Sequence, residues 1–194
     1  MPEQQKVSEQ AVAIGSTRVF VLPRECEVTI VPAGHRATLP EGDQVTVLQA
    51  LGGTATVTTR DGEMARLSPQ DSVDFGFVQA PTPREADDGS TFEIAAVWEA
   101  ATTVYDPEIP VDIVELGLIY RVNADELPSG DWVVEIDMSV TAPFCGMGDI
   151  LREDLHNAVA ALPRVSAVSV TLVFDPPWDA SRLSDVARLE LGMM

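Results

Sequence analysis

Cys145 stands in the stretch TAPFCGMGDI, residues 141–150, after a Pro-Phe pair and before Gly146, Met147, Gly148 and Asp149, where an apolar helical pattern begins. Free backbone N–H groups and the macrodipole at a helix start stabilise a thiolate, drawing a cysteine pKa below its usual value of about 8.5. Asp149, Glu153 and Asp154 follow within the first turns and act the other way, because nearby carboxylates disfavour a negative sulfur. Gly146 and Gly148 leave the backbone uncovered, so another molecule can approach the sulfur. The same residues also suit a cysteine that merely packs a turn, and spacing leaves both readings open.

A second candidate is YDPEIPVDIVELG, residues 105–117, which sets Asp106, Glu108, Asp112 and Glu115 around two prolines. Carboxylates on such a loop can ligate a metal or move protons, or can simply shape a turn and face water. Ile109, Val111, Ile113 and Val114 anchor the loop from within.

Ligand counting limits what these residues hold alone. A zinc site takes four ligands, and an iron–sulfur cluster usually takes four cysteines. The chain has two cysteines, Cys26 and Cys145, and no C-x-x-C. His156 is eleven residues beyond Cys145, roughly 16 Å along a helix, and so shares no metal with it. A self-sufficient cluster site is excluded for one chain, while a transient or shared site is not. Phosphate-cradling, nucleophile-elbow and H-E-x-x-H motifs are absent from the sequence. A thiol redox pair, with Cys145 reactive and Cys26 resolving, is the rival chemistry. A purely interacting module with an inert Cys145 is a third reading.

The elements that must position these residues fall into two groups. Residues 1–16 form a polar lead-in without a secretory apolar run, expected to be disordered. Residues 17–80 contain RVFVL, EVTIV, QVTVLQAL, TATVTTR, EMARLS and SVDFGFV, all expected as strands, with hairpin signals at Gly52-Gly53 and Asp61-Gly62. They predict an antiparallel meander forming a small all-β barrel or sandwich, with Cys26 packed and His35 in a solvated loop. A linker, residues 81–90, carries prolines and charges.

Residues 91–194 change period. Ser90-x-x-Glu93 matches a capping box, and Ile94, Val97, Trp98 and Ala101 recur at helical spacing. LGLIYRV (116–122) and DWVVEIDMSV (131–140) predict strands, the second with Trp132, Val134, Ile136, Met138 and Val140 on one face. Leu151, Leu155, Ala158, Val159 and Leu162 predict a helix, VSAVSVTLVF (165–174) a last strand, and SRLSDVARLELGMM a short amphipathic helix and tail. Trp178, in DPPW, is expected to anchor the sheet end. The order α-β-β-α-β, with the last strand parallel to a neighbour, predicts a compact domain with a mixed sheet. The expected fold class is thus α+β.

Composition narrows the partners. In 194 residues, 31 acidic and 12 basic side chains give a formal charge of −19, which repels phosphate backbones and argues against nucleic acid. A 45% hydrophobic share supports a real core, and no run reaches the roughly 18 apolar residues of a membrane span. Two cysteines without an export signal point to a reducing cytoplasm.

VYDPEIPVDIVELGLIY, TAPFCGM, VSVTLVFDPPW and ARLELGM resemble, in order and spacing, the small domain of iron–sulfur cluster assembly factors. With the upstream strands RECEVTIVPAG and LPEGDQVTVLQALGG, the chain is similar to the SufT type, in which a β-rich domain precedes the shared one. A related branch acting in phenylacetate degradation carries extra cysteines near its C-terminus, and none follows Cys145 here. The resemblance implies a maturation factor rather than an enzyme, working beside a SUF-type assembly system and its iron–sulfur client proteins. It places the reactive cysteine at Cys145, preceded by Thr141, the acidic-proline motif at Asp106, Pro107 and Glu108, and the late motif at Pro176, Pro177 and Trp178. It implies transient iron or cluster engagement at Cys145, with the missing ligands from a second protomer or a partner.

Overall fold

The computed structural model describes residues 18–80, 91–142 and 146–193. The lead-in, the linker 81–90, Ser90 of the capping box, and Cys145 with Pro143 and Phe144 lie outside the described residues.

Six strands build the first half: β1 (Arg18–Val21), β2 (Cys26–Val31), β3 (Arg36–Leu39), β4 (Gln44–Leu51), β5 (Thr54–Thr58) and β6 (Met64–Leu67). They form one sheet in the order β1-β4-β5-β6-β2-β3, every pair antiparallel. Only β4-β5-β6 is a meander, because β2 returns to pair with β6 and β1 with β4. Strand β3 is absent from the sequence reading, since RATL shows neither a strong apolar run nor a clear alternation. Cys26, Val28, Ile30, Leu39, Val45, Val47, Ala55, Val57, Ala65 and Leu67 lie on one face of this sheet yet pack into a single cluster. Phe20, Ala37, Ala50, Phe75 and Phe77 pack against this cluster.

SVDFGFV is not a strand. Helix α1 (Pro69–Asp74) occupies this region, with Ser68 as its cap accepting from the Asp71 amide (3.0 Å) and proline in the first turn. These start signals outweigh a short alternation of Val73, Phe75 and Phe77. Ser72 Oγ accepts from the buried Ala55 amide (2.9 Å) and ties the helix to β5.

The second half runs α2 (Ile94–Ala101), β7 (Ile119–Glu126), β8 (Trp132–Met138), α3 (Gly148–Ala160), β9 (Val165–Leu172), a 3₁₀ turn (Ala180–Arg182) and α4 (Asp185–Glu190). Its sheet is ordered β7-β8-β9, with β8 antiparallel to β7 and parallel to β9. This is the expected α+β arrangement with a mixed sheet. Val134, Ile136 and Met138 from β8 meet Leu151, Leu155 and Val159 from α3 in one core.

Three local expectations need correction. Glu93 is itself the cap residue of α2 and makes no side-chain cap bond, so it does not act as the third helical residue of a capping box. The buried face of α2 is Val97, Ala100 and Ala101, while Ile94 is 47% and Trp98 37% exposed. Small alanines let the helix approach the core closely, which turns the larger side chains outward. Strand β7 also starts three residues later than expected. Leu116, Gly117 and Leu118 are held in turns by amide bonds back to Asp112, Val114 and Ile113.

Candidate functional site

The register Ile119–Met138–Leu172 across β7, β8 and β9 puts the loop entering β7 and the loops leaving β8 and β9 at one end of the sheet. Backbone bonds continue the sheet past its strands: Ser139 donates to Leu118 O (2.8 Å) and Val173 to Met138 O (2.8 Å). The start of α3 arrives at the same place, with Gly148 against Val140 and Leu172. A parallel strand pair makes this convergence unavoidable, because both chains exit in the same direction.

A cleft at this end is lined by Ser139, Val140, Thr141, Phe174, Pro177 and Trp178. Trp178 donates its indole N–H to Leu116 O (2.8 Å), pinning DPPW to the turn before β7. Its apolar ring walls the cleft while its polar edge is satisfied, the arrangement a half-buried tryptophan favours. Thr141 and Trp178 are therefore neighbours of one cavity. Asp106, Pro107 and Glu108 are not among its lining residues, and Cys145 lies outside the described residues.

The acidic-proline loop is closed by a bridge between Tyr105 and Asp112. Asp106 is buried, and its Oδ1 accepts from the amides of Glu108 (2.8 Å) and Ile109 (3.0 Å). Asp112 Oδ1 does the same for Val114 (2.9 Å) and Glu115 (3.0 Å). Both carboxylates thus build Asx-type turns. Burial pushes the Asp106 carboxyl above the usual carboxylate range, against the pull of its two amides and of Arg66. Asp112 is also pushed up by burial. Glu108 points to solvent, and partial desolvation, then the Asp106 charge, raises it. The loop accordingly offers one accessible carboxylate, Glu108, on a scaffold that Asp106 fixes.

The carboxylates at the start of α3 differ in surroundings, and Glu153 among them is exposed. Asp149 is exposed and pairs with Arg152 (3.2 Å). Asp154 forms an ion pair with Arg66 of β6, a residue from the other half of the chain. Even so, burial raises the Asp154 carboxyl, so desolvation outweighs the arginine there.

Cys26 is 4% exposed within the β-rich core, and burial, with Asp71 adding, pushes its thiol up. A buried, protonated thiol is a poor resolving partner, which counts against the redox-pair reading. His35 and His156 are both exposed, as expected. Among the described residues, no group of three or more His, Cys, Asp or Glu converges on one point, and no helix is long and apolar enough to cross a membrane. Sequence reasoning missed Ser139 and Phe174, which sit just beyond the ends of β8 and β9. It also missed Arg66, because a charge alternating with Ala65 and Leu67 looks like a solvated sheet face.

Residues 94–172, from α2 through β9, match the family model described as iron–sulfur cluster assembly protein. The chain belongs to this family. It is 41% identical over 92 residues to the Fe-S protein maturation auxiliary factor of Porphyromonas gingivalis, covering 47% of this chain and 84% of that protein. It is 38% identical to the auxiliary factor YitW of Bacillus subtilis, covering 50% and 91%. It is 36% identical to the auxiliary factor SufT of Staphylococcus aureus, covering 46% and 98%. The β-rich sheet lies wholly outside the matched segment 94–172.

Proposed function

We propose that the chain is an accessory factor in the maturation of iron–sulfur proteins, one that passes iron or a cluster on as cargo. The observation that carries this reading is the relation to maturation auxiliary factors over 84% to 98% of their own lengths. Cys145 serves as the thiolate that engages the cargo or a client cysteine. Thr141 and Trp178 line the cleft at the sheet end, Asp106 with Pro107 fixes the acidic loop, and Glu108 is its accessible carboxylate.

The donor set supports passage over storage. A cluster usually takes four thiolates, and Cys26 is buried in another core. The remaining ligands come from a second copy of the chain, a SUF-type assembly protein or the client itself. Cargo then moves by exchange of one thiolate for another, a step that needs no catalytic acid or base in this chain. A reducing cytoplasm suits such a thiol.

The test is Cys145→Ser in cells under high demand for clusters. The expected result is lowered activity of iron–sulfur enzymes at unchanged protein level. Unchanged activities would overturn the role given to Cys145.

A further inference from the structure

Among the described residues, the β-rich half meets the assembly half through side chains of β4 and β6 and through the backbone of two glycine turns. Arg66 of β6 pairs with Asp154 on α3, and its Nε donates to Thr54 Oγ1 (3.2 Å). The Arg66 side chain is only 10% exposed and Asp154 24%, so the pair is sheltered from water. Gln49 of β4 donates its side-chain N–H to the backbone oxygen of Asp106 (2.9 Å). The backbone at Gly34, in the β2–β3 turn, lies so close to Gly146 that a Cβ there would sit 2.5 Å from the Gly146 oxygen. A Cβ on Gly146 would in turn overlap the Ala33 carbonyl. At Gly52 a Cβ would fall 2.6 Å from Thr103 O.

These contacts share a pattern. Three of them reach different elements of the assembly half: the acidic loop through Asp106, helix α3 through Asp154, and the residue before α3's cap through Gly146. A chance contact between an acidic surface and a small sheet would not bury an arginine, because an incompletely compensated charge is costly away from water. Nor would it bring two glycine backbones together at a separation that any side chain forbids.

We propose that the β-rich half is a clamp on the candidate site, and that Arg66 and Gln49 are positioning residues. Together they hold the acidic loop and the start of α3 in one mutual geometry. The Ala33–Gly34 turn packs directly against the Gly146 backbone. The proposal concerns geometry alone and stands whatever cargo the site carries.

Amide hydrogen exchange on the full chain tests it. Arg66→Asp places a carboxylate against Asp154, and the amides of Glu108 and Ile109, which bond to Asp106, should exchange about tenfold faster or more. The amides of Ala55–Val57 in β5 and Val134–Ile136 in β8 should stay protected, separating undocking from unfolding. Adding Asp154→Arg restores the pair with reversed polarity and should return the loop to slow exchange. Unchanged exchange in the single variant, or a double variant as fast as the single, would overturn the clamp. If Arg66→Asp unfolds the β-rich half outright, Gly146→Ala carries the test, since it removes no charge and only wedges the turn away. Exchange at Glu108 and Ile109 must rise there too, and no rise overturns the proposal.

Discussion

In the β-rich half a six-stranded antiparallel sheet carries the core with one short helix beside it, whereas in the α+β half a three-stranded sheet is covered by helices. The difference shows in the residues at the two centres. Ala55, Val57 and Ala65 are fully buried in the first beside Leu22, Leu67 and Val45, at 1% each. Leu116, Leu118, Ile136, Met138 and Leu155 fill the second, where a helix stands off the sheet and larger side chains are needed. It shows again at the strand ends. Antiparallel neighbours send their connections to both ends of the first sheet. In the second, the parallel pair β8–β9 gathers its exits at one end, beside the loop entering β7. The architecture that concentrates loops is the one the family match covers, and the other half contributes contacts to it.

Leu155→Ala should break the comparison most forcefully. It empties a fully buried position between α3 and the sheet, at a cost of about 3 kcal/mol. Denaturant unfolding followed by exchange should show the loss at β8, with β5 keeping its protection. An equal loss in both halves would mean a single cooperative unit.

Acidification should separate the halves next. Asp106, Glu108, Asp112 and Asp154, all in the assembly half, hold their protons more tightly when folded. The folded chain therefore takes up protons as pH falls toward the ordinary carboxylate range of about 4, and gains stability there. The gain is lost as pH rises through the raised values. The melting temperature should therefore rise as the pH is lowered from neutral toward that range. A fall would contradict the burial of these carboxyls.

The smallest effect is expected from Trp178→Phe. It keeps an aromatic wall but removes the bond to Leu116 O, costing about 1 kcal/mol. Calorimetry should register this as a lowered melting temperature, and an unchanged value would show that the DPPW segment is pinned by packing alone.

Much of this was legible in the residues. Trp132 to Val140 alternates cleanly because β8 is central and has one buried face, and α3 shows its stripe because that stripe meets the sheet. The order α-β-β-α-β and the parallel last strand follow from those periods. Helix α1 was hidden by a brief alternation that Ser68 and Pro69 override, and β3 by its four-residue length and mixed composition, RATL, at a sheet edge. At the site, Trp178 and Thr141 stood out by motif, but their shared cleft depends on a register that only pairing defines. Arg66 was out of reach, since its partner is 88 positions away along the chain.

That partner also decides how salt acts on the molecule. With a formal charge of −19, the exposed carboxylates of both halves repel, and at about 0.1 M ionic strength a Debye length near 10 Å already mutes that repulsion. The Arg66–Asp154 pair is shielded from mobile ions by its own burial. Added electrolyte therefore weakens what pushes the halves apart while sparing what joins them, the reverse of its effect on an interface stitched by surface charges.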